Sequence, residues 1–84
     1  MTEETYNRAT NLRNIIKNEK KILKYWKDAV NAIEETITLS NGVKYNGYEK
    51  TSIFSFMSFS ELKDMAIERL TKSLENHQKM YEEL

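Results

Sequence analysis

The feature that most constrains the fold is an apolar repeat with helical spacing in the first part of the chain. Apolar residues recur there every three or four positions, as along one side of an α-helix, and the row comprises Ala9, Leu12, Ile16, Leu23, Trp26, Val30 and Ile33. With Ala9 at heptad position a, positions a, d and g are mostly apolar, and Glu19 is the break in the d row. An arc of this width suits a bundle better than a two-stranded coiled coil. We therefore predict a long helix, helix 1, over about residues 2–36.

A second helix is predicted over residues 58–84. Ser58 and Glu61 have the spacing of a capping box, in which each side chain bonds the backbone of the other at a helix start. The core row that follows is Ala66, Ile67, Leu70, Leu74, His77, Met80, Tyr81 and Leu84. A partly buried His near a helix C-terminus usually has a structural role, which is our interpretation of His77.

The intervening residues, about 37–57, alternate in polarity around Ser40-Asn41-Gly42 and predict a β-hairpin. A three-residue loop with Gly42 in the left-handed conformation would place Leu39 opposite Val43, whereas a two-residue Asn41-Gly42 turn would place Leu39 opposite Lys44. We favour the first register. The β-branched and aromatic stretch 51–56 is a candidate third short strand.

Together these elements predict one domain over residues 1–84 of a mainly α class. It is a long antiparallel helical hairpin with a small β-hairpin, of two or three short strands, between the helices. Helix 1 should project beyond helix 2 by on the order of 10 Å and expose more apolar surface than one partner helix covers. We expect a homodimer or a higher even oligomer that forms a helical bundle, with an interface formed by Tyr6, Ala9, Leu12, Ile15 and Ile22.

Composition bears on several functional classes. Thirteen basic residues balance thirteen acidic ones, so no overall field attracts nucleic acid or an anionic membrane. The chain has no Cys and one His, and it contains no metal-ligand motif, phosphate-binding glycine loop or nucleophile elbow. We expect no catalytic residues, no metal and no cofactor. No signal peptide or membrane-spanning stretch is evident, and we expect a cytoplasmic protein.

Two sets of residues are candidates for binding. Helix 1 has a local basic excess, since only Glu19 opposes seven basic residues between residues 5 and 27. Its candidate anion- or partner-binding row consists of Arg13, Lys17, Lys20, Lys24 and Lys27. The β segment adds polar and aromatic groups on connecting structure, where recognition residues commonly lie: Lys44, Tyr45, Tyr48 and Lys50. Either set could equally be solvated surface, and the row Glu61, Glu68, Glu75 and Glu82 on helix 2 is interpreted in that way.

The chain is rich in Lys, Asn, Ile and Glu. In general character only, it resembles the accessory proteins of bacteriophages and other mobile elements. That resemblance implies a non-enzymatic protein that binds and inhibits a host protein in the host cytoplasm. The alternative hypothesis is an oligomeric binder that sequesters a nucleotide-type signal in basic pockets between subunits. Nucleic acid is the weakest candidate partner because the chain outside helix 1 is acidic.

Overall fold

The protein is a helical hairpin whose two helices are joined through a two-stranded antiparallel sheet. The computed structural model describes residues 2–42 and 47–84. Its elements are α1 (Glu3–Asp28), β1 (Thr36–Ser40), β2 (Tyr48–Ser52), a 3-10 turn η1 (Ile53–Ser55) and α2 (Phe59–Glu82). The main tertiary contacts are those between α1 and α2, which confirms the predicted fold class.

Helix α1 begins where the sequence predicts and ends well before residue 36. The Thr2 hydroxyl caps it by accepting a hydrogen bond from the Thr5 amide at 3.1 Å. At the other end, Ala29 already has an extended backbone, and Val30 and Ile33 are 90% and 99% exposed. The apolar rhythm continues past Asp28, but no described surface covers it, and burial of an apolar face is what stabilises most protein helices.

Helix α2 starts with the predicted capping box. The Ser58 hydroxyl accepts from the Glu61 amide at 3.1 Å, and the Glu61 carboxylate accepts from the Ser58 amide at 3.4 Å. The two helices have 26 and 24 residues. They are therefore nearly equal, at about 39 and 36 Å. The predicted overhang therefore does not come from a longer α1. The helices are nevertheless offset, because Arg13 bonds Tyr81 and Leu12 lies beside Leu84, so the first residues of α1 extend past the end of α2.

The β-hairpin forms, but its predicted register is wrong. Leu39 pairs with Glu49 and Ile37 with Thr51, so the connection between the strands is longer than three residues. Gly42 adopts the predicted left-handed conformation, with φ of 85°. The expected third strand is absent from the described residues: its first residues belong to β2, and residues 53–55 form η1.

The interior is a narrow seam between the two helices. Among the described residues only Ala9, Leu12 and Leu23 are buried apolar side chains. Ile16, Ile22, Trp26, Leu70 and Leu74 are half-buried, and Met80, Tyr81 and Leu84 near the end of α2 are exposed. The accessible surface is 7146 Å², whereas a compact monomer of 10.0 kDa exposes about 5,200 Å². The radius of gyration of 17.7 Å likewise exceeds the roughly 12 Å expected of a compact chain of this length. The protomer thus leaves a large surface uncovered.

The helical hairpin is closed beside the sheet by an aromatic cluster and one lysine. The rings of Trp26 and Phe59 stack with centroids 6.5 Å apart, and Phe54 contacts Phe59 edge-on at 6.3 Å. Lys63 Nζ donates a 2.8 Å hydrogen bond to the Ala29 carbonyl, at the negative end of α1. These contacts fix the start of α2 against the end of α1.

Candidate functional site

The seam contains a polar cluster of Glu19, Ser73 and His77. Both oxygens of the Glu19 carboxylate are engaged: Oε1 lies 2.6 Å from His77 Nδ1, and Oε2 accepts from the Ser73 hydroxyl at 2.5 Å. The side chains of Glu19 and His77 are only 12% and 26% exposed. Charge-assisted hydrogen bonds in such surroundings are among the stronger ones, so the cluster fixes how the helices face each other.

These residue types also occur in nucleophilic triads, but their geometry here is different. In a triad the imidazole accepts the serine proton on one nitrogen and donates to the carboxylate from the other. Here the Ser73 hydroxyl donates to Glu19 itself, and its 3.5 Å approach to His77 is to Nδ1, the nitrogen that faces the carboxylate. The arrangement therefore does not activate Ser73 as a nucleophile.

The basic row of α1 is exposed along its length, and two of its members line a groove. Arg13, Lys17, Lys20, Lys24 and Lys27 form no ion pair with any carboxylate in the described part of the chain. Arg13 and Lys20 face α2 across an open groove of about 400 Å³, which Ile16, Gln78, Tyr81 and Glu82 also line. A long hydrogen bond of 3.5 Å joins the Arg13 guanidinium to the Tyr81 hydroxyl. The groove therefore brings two cations and an aromatic hydroxyl together, with Glu82 as an opposing charge.

The candidate residues of the β segment are only partly within the described structure. Lys44 and Tyr45 lie outside the described residues, as does the predicted strand position of Val43. Tyr48 is the first residue of β2, opposite Ser40, and its side chain is not among those described. Lys50 is exposed and lies opposite Thr38. Of these four residues, the structure thus places only Tyr48 and Lys50, both on β2.

The end of the molecule that carries the sheet exposes more large apolar side chains than sequence reasoning anticipated. We call residues 29–40 and 53–57 the β end. Its exposed large apolar residues are Val30, Ile33, Ile37, Leu39 and Phe56, of which Val30, Ile33 and Phe56 are the most exposed. Where it meets α1 and α2 there is a shallow, mainly apolar cleft of about 250 Å³, lined by Tyr25, Trp26, Ala29, Asn31, Ala32 and Phe59. Several exposed large apolar groups at one end of a protein are typical of interaction surfaces.

The residues predicted for an oligomer interface fall into two groups. Ala9 and Leu12 are already buried against α2 within one chain, at 8% and 5% exposure, and have little surface left for a partner. Tyr6 and Ile15 are exposed, and Ile22 is half-buried. For these three residues an interface role stays a prediction.

The acidic row of α2 has the surface character that the sequence indicates. Glu61, Glu68, Glu75 and Glu82 are all exposed. The Lys72 ammonium bonds the Glu68 carboxylate at 2.9 Å. This hydrogen bond, together with the Coulomb attraction of Lys72, lowers the pKa of Glu68.

The described residues contain neither a metal-binding cluster nor a membrane-spanning helix. No group of three or more His, Cys, Asp or Glu side chains is placed to hold a metal ion within residues 2–42 and 47–84. No described helix is both long and apolar enough to cross a membrane. No protein-family model, curated protein sequence or solved structure matches the chain.

Sequence reasoning missed the polar cluster, although both helices carried a signal for it. Glu19 interrupts the d row of α1, and His77 lies on the core row of α2. Two polar residues on facing apolar seams are expected to pair, because a buried charge without a partner is costly. Ser73 gave no comparable signal, since an isolated Ser in a helix is usually solvated or bonds its own backbone.

Proposed function

We propose that this protein is a non-enzymatic interaction module that binds another protein through its β end. The observation that carries the proposal is the exposure of large apolar side chains there: Ile33 is 99% exposed, Val30 90% and Phe56 70%. Monomeric proteins rarely expose large apolar surfaces, and such surfaces usually mark the place where a partner binds. Inhibition of a host protein, as with the accessory proteins of mobile elements, is the proposed consequence of binding.

The chemistry of the β end supports a protein as the partner. The β end contains two acidic residues, Glu34 and Glu35, and no basic one, so it has no positive charge with which to attract nucleic acid. Its exposed aliphatic and aromatic side chains lie near a shallow apolar cleft, and such a surface can instead bind apolar side chains of another protein. The geometry of Ser73 in the polar cluster supports the non-enzymatic part of the proposal.

Capture of partners from a bacterial lysate tests this function. The immobilised protein should retain a reproducible set of proteins that the double variant Val30→Ser/Ile33→Ser loses, because both side chains are removed from the proposed surface. Tyr6→Ser is a matched control, since Tyr6 is also an exposed apolar residue but lies at the opposite end of α1. If the double variant and the control capture the same proteins as the unmodified chain, the β end is not the binding surface.

A second candidate function is supported by the groove between Arg13 and Lys20. Two cations and the Tyr81 ring around an open space of about 400 Å³ could bind the phosphate and base of a nucleotide. A thermal-shift screen with linear and cyclic nucleotides tests this, because a ligand at one hundred times its Kd adds about 2.7 kcal/mol of stability. Lys20→Ala should abolish any shift, whereas Lys17→Ala, outside the groove, should keep it. A panel without shifts would remove this candidate.

A further inference from the structure

The β-hairpin contacts the rest of the described protein very little. All five residues of β1 are exposed, although Ile37 and Leu39 are large apolar residues. Its contacts with the helices are sparse beside those between the two strands themselves. An isolated two-stranded hairpin is at best marginally stable in water and usually needs a third strand or a packed face. Among the described residues, this sheet therefore has neither a third strand nor a well-packed face.

The outer edge of β1 has unpaired backbone groups. Asn41 donates to the Gly47 carbonyl and Ile53 to the Glu35 carbonyl, each at 2.9 Å, so the odd-numbered residues of the first strand face β2. Because antiparallel ladders alternate, the amide and carbonyl groups of Thr36, Thr38 and Ser40 point away from β2. No described residue outside the hairpin bonds these groups.

The two edges of the sheet differ in charge. β2 contains Glu49 and Lys50, and charged residues on an edge strand discourage pairing with another chain. β1 has the sequence Thr-Ile-Thr-Leu-Ser and carries no charge. The unprotected edge is therefore that of β1.

We propose that β1 pairs with β1 of a second copy of this chain, across a two-fold axis at Thr38, and so forms a four-stranded antiparallel sheet. This is the two-fold register that pairs all five residues, and it places Thr36 opposite Ser40, Ile37 opposite Leu39, and Thr38 opposite its own copy. The outward-pointing groups of Thr36, Thr38 and Ser40 then bond one another, as the ladder requires.

The side chains of β1 are self-complementary in this register. On one face Ile37 meets Leu39 of the other copy twice, as close apolar cross-strand pairs. On the other face hydroxyl groups meet hydroxyl groups, and no like charges are brought together. A charged partner strand would gain no ion pair from this edge, which favours a second copy as the occupant.

The chain as a whole, rather than the β1 edge alone, has surface available for a second copy. The protomer exposes about 1,900 Å² more than a compact monomer of its mass, and a standard interface removes roughly 800 Å² from each partner. The sheet dimer uses a different surface from Tyr6, Ile15 and Ile22, and it would place two β ends side by side for bivalent binding. It does not depend on the function proposed above.

Thr38→Glu tests the dimer without weakening the hairpin. Within one chain residue 38 faces Lys50, so Glu at this position gains an opposite-charge cross-strand partner. Across the two-fold axis the same Glu faces its own copy and repels it. Light scattering should show the unmodified chain at twice 10.0 kDa and Thr38→Glu at 10.0 kDa. Lys50→Glu, a charge change on β2, is the matched control and should remain dimeric.

A charge-swapped partner extends the test. Thr38→Lys/Lys50→Glu keeps an opposite-charge pair inside its own hairpin and should also be monomeric alone. Mixed with Thr38→Glu, it should form a heterodimer, because Lys and Glu then meet across the axis. The proposal is overturned if the unmodified chain is monomeric throughout the micromolar range. It is equally overturned if Thr38→Glu stays dimeric, which would indicate a helix-mediated interface, or if the mixture does not associate.

Discussion

The helical seam and the β end of this protein differ in how their apolar residues are used. In the seam, Leu12 and Leu23 are buried and the polar residues between the helices are paired. At the β end, Val30 and Ile33 are almost fully exposed, although they continue the same heptad pattern. An apolar repeat therefore shows which side chains are available for burial. Whether they are buried depends on whether another part of the structure packs against them.

This difference separates stability from binding. The seam residues should control the free energy of unfolding, because α1 and α2 of the same chain bury them against each other. The β end should contribute little to that free energy and much to association. Each substitution below is designed to break or sharpen that division.

The largest effect is expected from Leu23→Ala in the seam. Removing most of a buried Leu side chain should lower the free energy of unfolding by ~2–5 kcal/mol, since it loses apolar burial and leaves a cavity. Ile33→Ala removes a similar side chain that is 99% exposed and should change this free energy by less than about 0.5 kcal/mol. Urea denaturation followed by circular dichroism, at one fixed protein concentration, measures both. Equal losses would show that the β end belongs to the core.

An intermediate effect is expected in the polar cluster. Glu19→Leu leaves the Ser73 hydroxyl and the His77 ring without their shared acceptor and should cost about 1–3 kcal/mol. Adding Ser73→Ala and His77→Leu replaces the whole cluster by apolar groups and should recover most of that loss. A triple variant less stable than Glu19→Leu alone would contradict this account of the cluster.

A smaller effect is expected at the start of α2. Ser58→Ala removes the capping hydroxyl and should lower stability by about 1 kcal/mol, because the Glu61 amide loses its acceptor. Ser60→Ala, two positions further along, is the control and should leave the Tm nearly unchanged. If both substitutions lowered the Tm equally, the capping box would not be the cause.

The smallest effect is expected for the surface pair of Glu68 and Lys72. Lys72 lowers the pKa of Glu68, so the pair stabilises the fold above the carboxyl's unfolded pKa and loses this contribution as pH falls through the lower folded pKa. Because both side chains are well exposed, solvent and salt screen the attraction. Lys72→Met should therefore leave the Tm unchanged at neutral pH in physiological salt. A clear decrease would show that surface charge is more important here than we infer.

What could be predicted from the sequence was mainly local. The capping box at Ser58 and the left-handed Gly42 follow from residues a few positions apart, and both are found. The end of α1 was missed because Val30 and Ile33 fit the helical period, while the surface that would cover them is not provided by α2. The hairpin register was missed because a longer connection pairs Leu39 with Glu49, which polarity alone does not favour.

The candidate site was predictable to a smaller extent. The exposure of the basic row follows from its heptad position. The groove between Arg13 and Tyr81 depends instead on which sides of the two helices face each other. The polar cluster likewise joins residues more than fifty positions apart, which no local pattern connects. The uncovered edge of β1 could not be predicted without knowing how the strands pair.

Residue-resolved amide hydrogen exchange on the monomeric Thr38→Glu variant is the most direct test of the division between seam and β end. Amides of α1 between Leu12 and Leu23 should exchange only through global unfolding, and those of β1 should exchange far faster through local opening. For the unmodified chain, the proposed sheet dimer predicts that the amides of Thr36, Thr38 and Ser40 become protected. Protection of β1 equal to that of α1 in the monomeric variant would place the hairpin in the core of a single chain and contradict the account.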